Sequence, residues 1–118
     1  MEYLLILFFA ILQGDKMFCK DSDKLLFNDV PADVKAKYEP LMTYQPGGNW
    51  GGVIPYAGWE KAPSMYLVTD KDQAIPPEKQ VFMANYAKCK IAHVDLGHLA
   101  MLSGPEQVAE KLIDFVKS

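Results

Sequence analysis

From Pro63 to its end the chain alternates between strand-like and helix-like hydrophobic patterns, and this alternation restricts the fold more than any other feature. SMYLVT is a short β-prone run that stops at Asp70-Lys71-Asp72. Pro76-Pro77 then opens a helical pattern through EKQVFMANYAK, with Val81, Met83, Ala84 and Tyr86 available for burial. KIAHVDL reads as a second strand and Gly97-His98 as a turn. Gly104-Pro105-Glu106 starts a last helix whose apolar face is Val108, Leu112, Phe115 and Val116. Strands alternating with helices predict an α/β fold: a parallel sheet joined by right-handed crossovers.

The first half is less regular. Tyr3 to Leu12, YLLILFFAIL, is the most hydrophobic run, but it has about half the ~20 residues that a membrane-spanning helix needs. Its only early charge is Glu2 and no A-x-A pattern follows, so a secretory signal is disfavoured and a cytoplasmic location expected. The run is expected to be a third parallel strand, buried on both faces and ended by the turn signal Gln13-Gly14-Asp15. GDKMFCKDSDK lacks periodicity and reads as loop. Pro31 opens a short amphipathic helix through ADVKAKYEPLM, with Val34, Tyr38 and Leu41 at helical spacing and an end near Pro40. YQPGGNWGGVIPYAGWEKAP, rich in Gly, Pro and aromatics, is irregular, and Trp50 and Trp59 are expected to anchor it by packing.

Length and charge narrow the function. The 118 residues amount to one domain, half of them hydrophobic, and the net charge of -3 shows no basic patch for nucleic acid. Cys19 and Cys89 form no CxxC pair and no His/Cys cluster at ligand spacing, so neither a metal nor another cofactor is expected. Two free thiols are the simplest reading, with a single bridge between them left open.

In open parallel sheets ligands bind beyond the carboxyl ends of the strands, and Asp72 and His98 both fall just after such ends. An imidazole there serves as a general base near neutral pH, and a carboxylate accepting its other N–H fixes the tautomer and stabilises the imidazolium. Asp72 and His98 are therefore the candidate orienter and base, although loop residues of both types are often simply solvated. His93 lies inside a strand and suits packing or the strand surface. Asp70, nearer its strand end, suits a local Asx-turn, and Asp95 a turn before Gly97. Met83 and Met101 read as core or pocket filling.

PSMYLVTDKDQAIPPEKQVFMA followed by VDLGHLAMLSGPEQVAEKLIDF, with LFNDVP at 26–31, resembles the C-terminal part of an α/β-hydrolase, specifically the small-molecule esterase and hydroxynitrile lyase group. The resemblance implies that the loop after one strand supplies a triad acid, here Asp72, and that the Gly-His turn supplies the base, here His98. It covers most of residues 25–118 and extends loosely to LLILFFAILQGD, similar to the strand that follows the nucleophile helix. It divides the single domain 1–118 into a strand and loop (1–24), a cap remnant and linker (25–62) and the acid and histidine units (63–118). The implied fold is a partial α/β-hydrolase with about three parallel strands and flanking helices.

Two family features have no counterpart. None of Ser22, Ser64, Ser103 and Ser118 stands in a G-x-S-x-G elbow, and the HGGG-like oxyanion loop is missing. The stretch from Asp15 to Phe27 is also brief beside the cap such enzymes carry. Where the lyase branch has a Lys after its histidine, this chain has Leu99, so the resemblance implies an esterase-like ancestor acting on a small ester, amide or lactone. Leu99 and Met101 either line its apolar pocket or belong to the core.

Three readings follow. The chain is the C-terminal portion of a serine-type hydrolase, a catalytically dead remnant that binds a small hydrophobic ligand or a protein, or an unrelated small binding domain. In a lone chain, strands without neighbours lead to self-association, a complementing N-terminal chain or poor solubility.

Overall fold

The β-branched and aromatic run Met65–Thr69 forms a strand that pairs in parallel with Lys90–Val94, in a register from Met65 opposite Lys90 to Thr69 opposite Val94. A parallel pair needs a crossover, and the helix Pro77–Tyr86 provides it. Pro77 occupies the first helical turn, where its missing N–H costs nothing, and Pro76 holds the extended conformation that leads in. The computed structural model describes residues 10–48 and 52–118.

In chain order the strands are β1 (Ala10–Gln13), β2 (Lys16–Cys19), β3 (Gln45–Pro46), β4 (Met65–Thr69) and β5 (Lys90–Val94). The α-helices are α1 (Ser22–Leu25), α2 (Ala32–Tyr38), α3 (Pro77–Tyr86), α4 (Ala100–Ser103) and α5 (Pro105–Lys117). Single 3₁₀ turns at Glu39–Leu41 and Gly58–Lys61 complete this set of elements among the described residues. α2 begins after Pro31 and passes into the turn that holds Pro40, as the sequence indicates.

The first apolar run behaves differently from its expected role. Its described end, β1, pairs antiparallel with β2 around Gly14-Asp15, and β2 in turn pairs antiparallel with β3. Gly14 has φ 64, a left-handed conformation that suits a two-residue hairpin, so the turn signal folds the chain back instead of ending a parallel strand. Ile11 and Leu12 are exposed, and Tyr3 to Phe9 lie outside the described residues. The segment read as loop therefore contains β2 and α1. The described sheets are one parallel pair and one three-stranded antiparallel sheet, where three parallel strands are expected from the sequence.

The core sits where β4 and β5 meet α3 and α4, around Val68, Ala84, Val94, Leu96 and Ala100. Helix faces depart from the sequence expectation for one reason: a two-stranded sheet is too narrow to cover a wide apolar stripe. On α3 the buried positions are Gln80 and Ala84, one turn apart, while Met83 and Tyr86 face solvent. On α5, Val108 and Phe115 are half-buried, but Leu112 and Val116 are exposed. Val68 is 0% exposed, so Val68→Ala is expected to cost about 2 kcal/mol through lost burial and a cavity, read as a lower urea midpoint.

The loops that carry Asp72 and His98 leave the same sheet edge. The ladder continues past the strands, with Asp70 N–H donating to the Val94 carbonyl (2.9 Å) and Lys71 N–H to that of Leu96 (3.0 Å). The segments that carry Asp72 and His98 are thereby held side by side.

Candidate active site

Asp72 is 7% exposed, and both of its carboxylate oxygens are fully engaged. Oδ1 accepts the backbone N–H groups of Ala74 (2.8 Å) and Ile75 (2.9 Å), an Asx-type turn that fixes the loop after β4. Oδ2 accepts the Thr69 hydroxyl (3.0 Å) and the Gln80 amide (3.2 Å). The Asx role expected of Asp70 thus belongs to Asp72.

His98 Nδ1 lies 2.9 Å from Asp72 Oδ2 and 3.1 Å from Oδ1. Burial pushes the Asp72 carboxyl up, but the hydrogen bond from His98 and those from the Ile75 and Ala74 N–H groups outweigh it and hold the group below its ordinary range. Asp72 is thus an anion at neutral pH. A carboxylate accepts only, so Nδ1 is the protonated ring nitrogen and proton transfer falls to Nε2.

The sequence alone does not single out Gln80 or Thr69. The Gln80 oxygen accepts the Thr69 N–H (3.0 Å), and its Nε2 donates to the Ile75 carbonyl (2.8 Å) as well as to Asp72. Through Gln80, α3 locks the acid loop onto β4. Its one signal is a polar residue one turn before Ala84, in register with the buried face.

The competing residues are elsewhere. His93 Nδ1 pairs with Asp70 Oδ1 at 2.8 Å, and both side chains are well exposed, in line with a strand-surface histidine. Asp95 binds Lys71 at 2.8 Å, a contact that raises the Lys71 ammonium above its ordinary range.

His98 lines two clefts. One, about 390 Å³, runs between Tyr66, Leu67, Ile75, Met101 and Val108. Burial first, then the Asp72 charge, raises the Tyr66 hydroxyl, which stays protonated as a donor on that wall. The other, about 230 Å³, lies against β2 and includes Met17, Phe18 and Cys19. Cys19 makes a poor substitute nucleophile, because burial and then Asp21 push its thiol up. Both cysteines are free. Trp59 is half-exposed on the wall of a separate apolar groove of about 980 Å³ and is not a buried anchor, while Trp50 lies outside the described residues. Among the described residues no three His, Cys, Asp or Glu side chains converge on a metal-sized site, and no helix is long and apolar enough to cross a membrane.

A sequence model described as the alpha/beta hydrolase family matches residues 4–111. The chain belongs to the α/β-hydrolase family. No curated protein matches it. Polyneuridine aldehyde esterase is a structural relative, with a TM-score of 0.74 at 15% identity over 91% of this chain and 47% of that one. A pyrethroid hydrolase from Sphingobium faniae JZ-2 gives 0.74 at 17% identity over 98% of this chain and 49% of that one. At such identities the likeness concerns the fold. This α/β-hydrolase chain spans about half the length of these solved structures, so its fold is a partial one.

Proposed function

We propose that this chain carries the acid and base of a serine-type hydrolase acting on small esters, with Asp72 as orienter and His98 as general base. The observation that carries this reading is the 2.9 Å contact from His98 Nδ1 to a buried, fully hydrogen-bonded Asp72 carboxylate at the edge of an apolar cleft. In acyl transfer Nε2 takes the nucleophile's proton, Asp72 stabilises the imidazolium, and Nε2 returns the proton to the leaving alcohol. The esterase and pyrethroid hydrolase relatives support the ester as substrate class. Leu99, in place of a lysine, supports hydrolysis over cyanide release.

On this reading the nucleophile and oxyanion donors belong to an N-terminal half, on the same protein or on a complementing chain. Alone, the 118 residues hold a base with nothing to activate, and they lack the largest electrostatic contribution to acyl transfer. The cytoplasm is the proposed location, with residues 25–62 as a reduced cap. Adding an elbow-bearing N-terminal half is expected to raise p-nitrophenyl acetate hydrolysis from background to a saturable rate. A well-folded complex without activity would reject the enzyme reading.

A second reading, a non-catalytic remnant that binds a hydrophobic ligand or protein, is favoured by the open groove lined by Phe82, Met83, Tyr86 and Phe115. In that case the reconstituted complex stays inactive and an apolar dye binds the groove, with binding weakened by Phe82→Ser.

A further inference from the structure

Asn28 and Asp29 lie in the loop between α1 and α2, 43 or more residues from the loops that they touch. Asn28 Nδ2 donates to the Lys71 carbonyl (3.0 Å), one residue before the acid. Asp29 Oδ2 accepts the Gly97 N–H (2.6 Å), one residue before the base, and its Oδ1 accepts the Ser103 hydroxyl (2.6 Å) at the end of α4. Adjacent side chains thus hold the acid loop and the histidine loop from outside the sheet.

Three features mark the contact as built. Phe27 and Val30, on either side of the pair, are 4% and 8% exposed, so two buried apolar anchors set the position of the polar residues between them. A Cβ on Gly97 would collide with the Asn28 and Asp29 side-chain oxygens and come within 2.9 Å of Asp29 Cγ, so the close approach requires glycine there. Both Asp29 bonds are short and charge-assisted, the strong kind.

The geometry points to Asp29, supported by Asn28, as a positioning residue for the His98 imidazole: it clamps the Gly97–Ser103 segment so that Nδ1 stays within reach of Asp72. Asp29 touches neither the ring nor any reacting atom; it acts through the backbone on either side of His98. The inference rests on the base role proposed for His98, but its test does not need activity.

The test is the imidazole Nδ1–H resonance of His98 in the ¹⁵N-labelled chain, with His93, which pairs with Asp70, as an internal control. In the unaltered chain His98 is expected to show a downfield Nδ1–H protected from exchange, and Asp72→Ala to abolish it. Asp29→Ala is expected to speed that proton's exchange about tenfold or more, as for a freed loop, and to leave His93 unchanged. Asp29→Asn, whose amide still accepts the Gly97 N–H, is expected to restore most of the protection. If Asp29→Ala unfolds the chain, Ser103→Ala removes one of the two bonds and is expected to give a smaller change in the same direction. Protection unchanged in a folded Asp29→Ala, or in the Ser103→Ala variant that replaces it, overturns the inference. So does equal loss at His93 and His98, which would mark a general structural effect. Absence of a protected Nδ1–H from the unaltered chain would instead reject the Asp72–His98 pairing on which the functional reading stands.

Discussion

Asp72→Asn is expected to lower the turnover of a hydrolase completed around this chain by about 10⁴, with KM little changed. The surroundings of the carboxylate dictate how the amide sits. Oδ1 is held by two backbone N–H donors that cannot turn, whereas at Oδ2 the Thr69 hydroxyl can turn to accept and only the Gln80 amide opposes, so the Asn oxygen takes the Oδ1 side. The NH₂ then takes the place of Oδ2, facing His98 Nδ1. A donor there leaves Nδ1 as the acceptor and puts the ring proton on Nε2, the nitrogen that must be free to take a proton. Steady-state ester hydrolysis by the reconstituted enzyme measures the effect. A loss of less than tenfold would remove Asp72 from the acid role.

Asp72→Ala, by contrast, is expected to act on stability, costing about 3 kcal/mol at pH 7 by leaving the N–H donors of its loop without an acceptor. The N–H groups of Ala74 and Ile75 lose their acceptor, while the Thr69 hydroxyl and the Gln80 amide each lose one of the two or more that they have. Linkage adds a pH signature. The folded carboxyl lies below its ordinary value of 3.8, so the unfolded chain binds the proton more tightly. That stabilisation is complete above the unfolded value and is lost as pH falls through the folded one. Urea unfolding of the unaltered chain should therefore weaken from about pH 5 downward, and Asp72→Ala should show a flatter acid limb. Parallel acid limbs would mean that Asp72 does not carry the shift.

Much of the site is legible in the sequence because strands and helices of distinct period bracket it. Thr69 ends an unmistakable strand and Pro76-Pro77 marks the next helix, so Asp72 falls in the loop between them whatever the rest of the chain does. The same holds for His98 between KIAHVDL and Gly104-Pro105. Less legible are features that depend on what lies opposite. Gln80 reads as an ordinary helical glutamine until α3 sets it against Asp72, and Asp29 as one more polar residue ahead of Pro31 until Gly97 arrives from 68 residues away.

Local pattern also misled where a turn had two outcomes. Gln13-Gly14-Asp15 marks the end of a strand, but only tertiary pairing decides whether the next residues leave the sheet or return along it, and here β2 returns. The sequence by itself determined the order of β4, α3, β5 and α5, and with it the sheet edge from which Asp72 and His98 leave, because period and proline placement are properties of neighbouring residues. The tertiary structure alone decided that Asp72 binds Nδ1 and Asp70 binds His93, that the first apolar run ends in a hairpin, and that Asn28 and Asp29 clasp both loops. Those outcomes depend on hydrogen bonds and contacts between segments far apart along the chain, whose geometry no local pattern records.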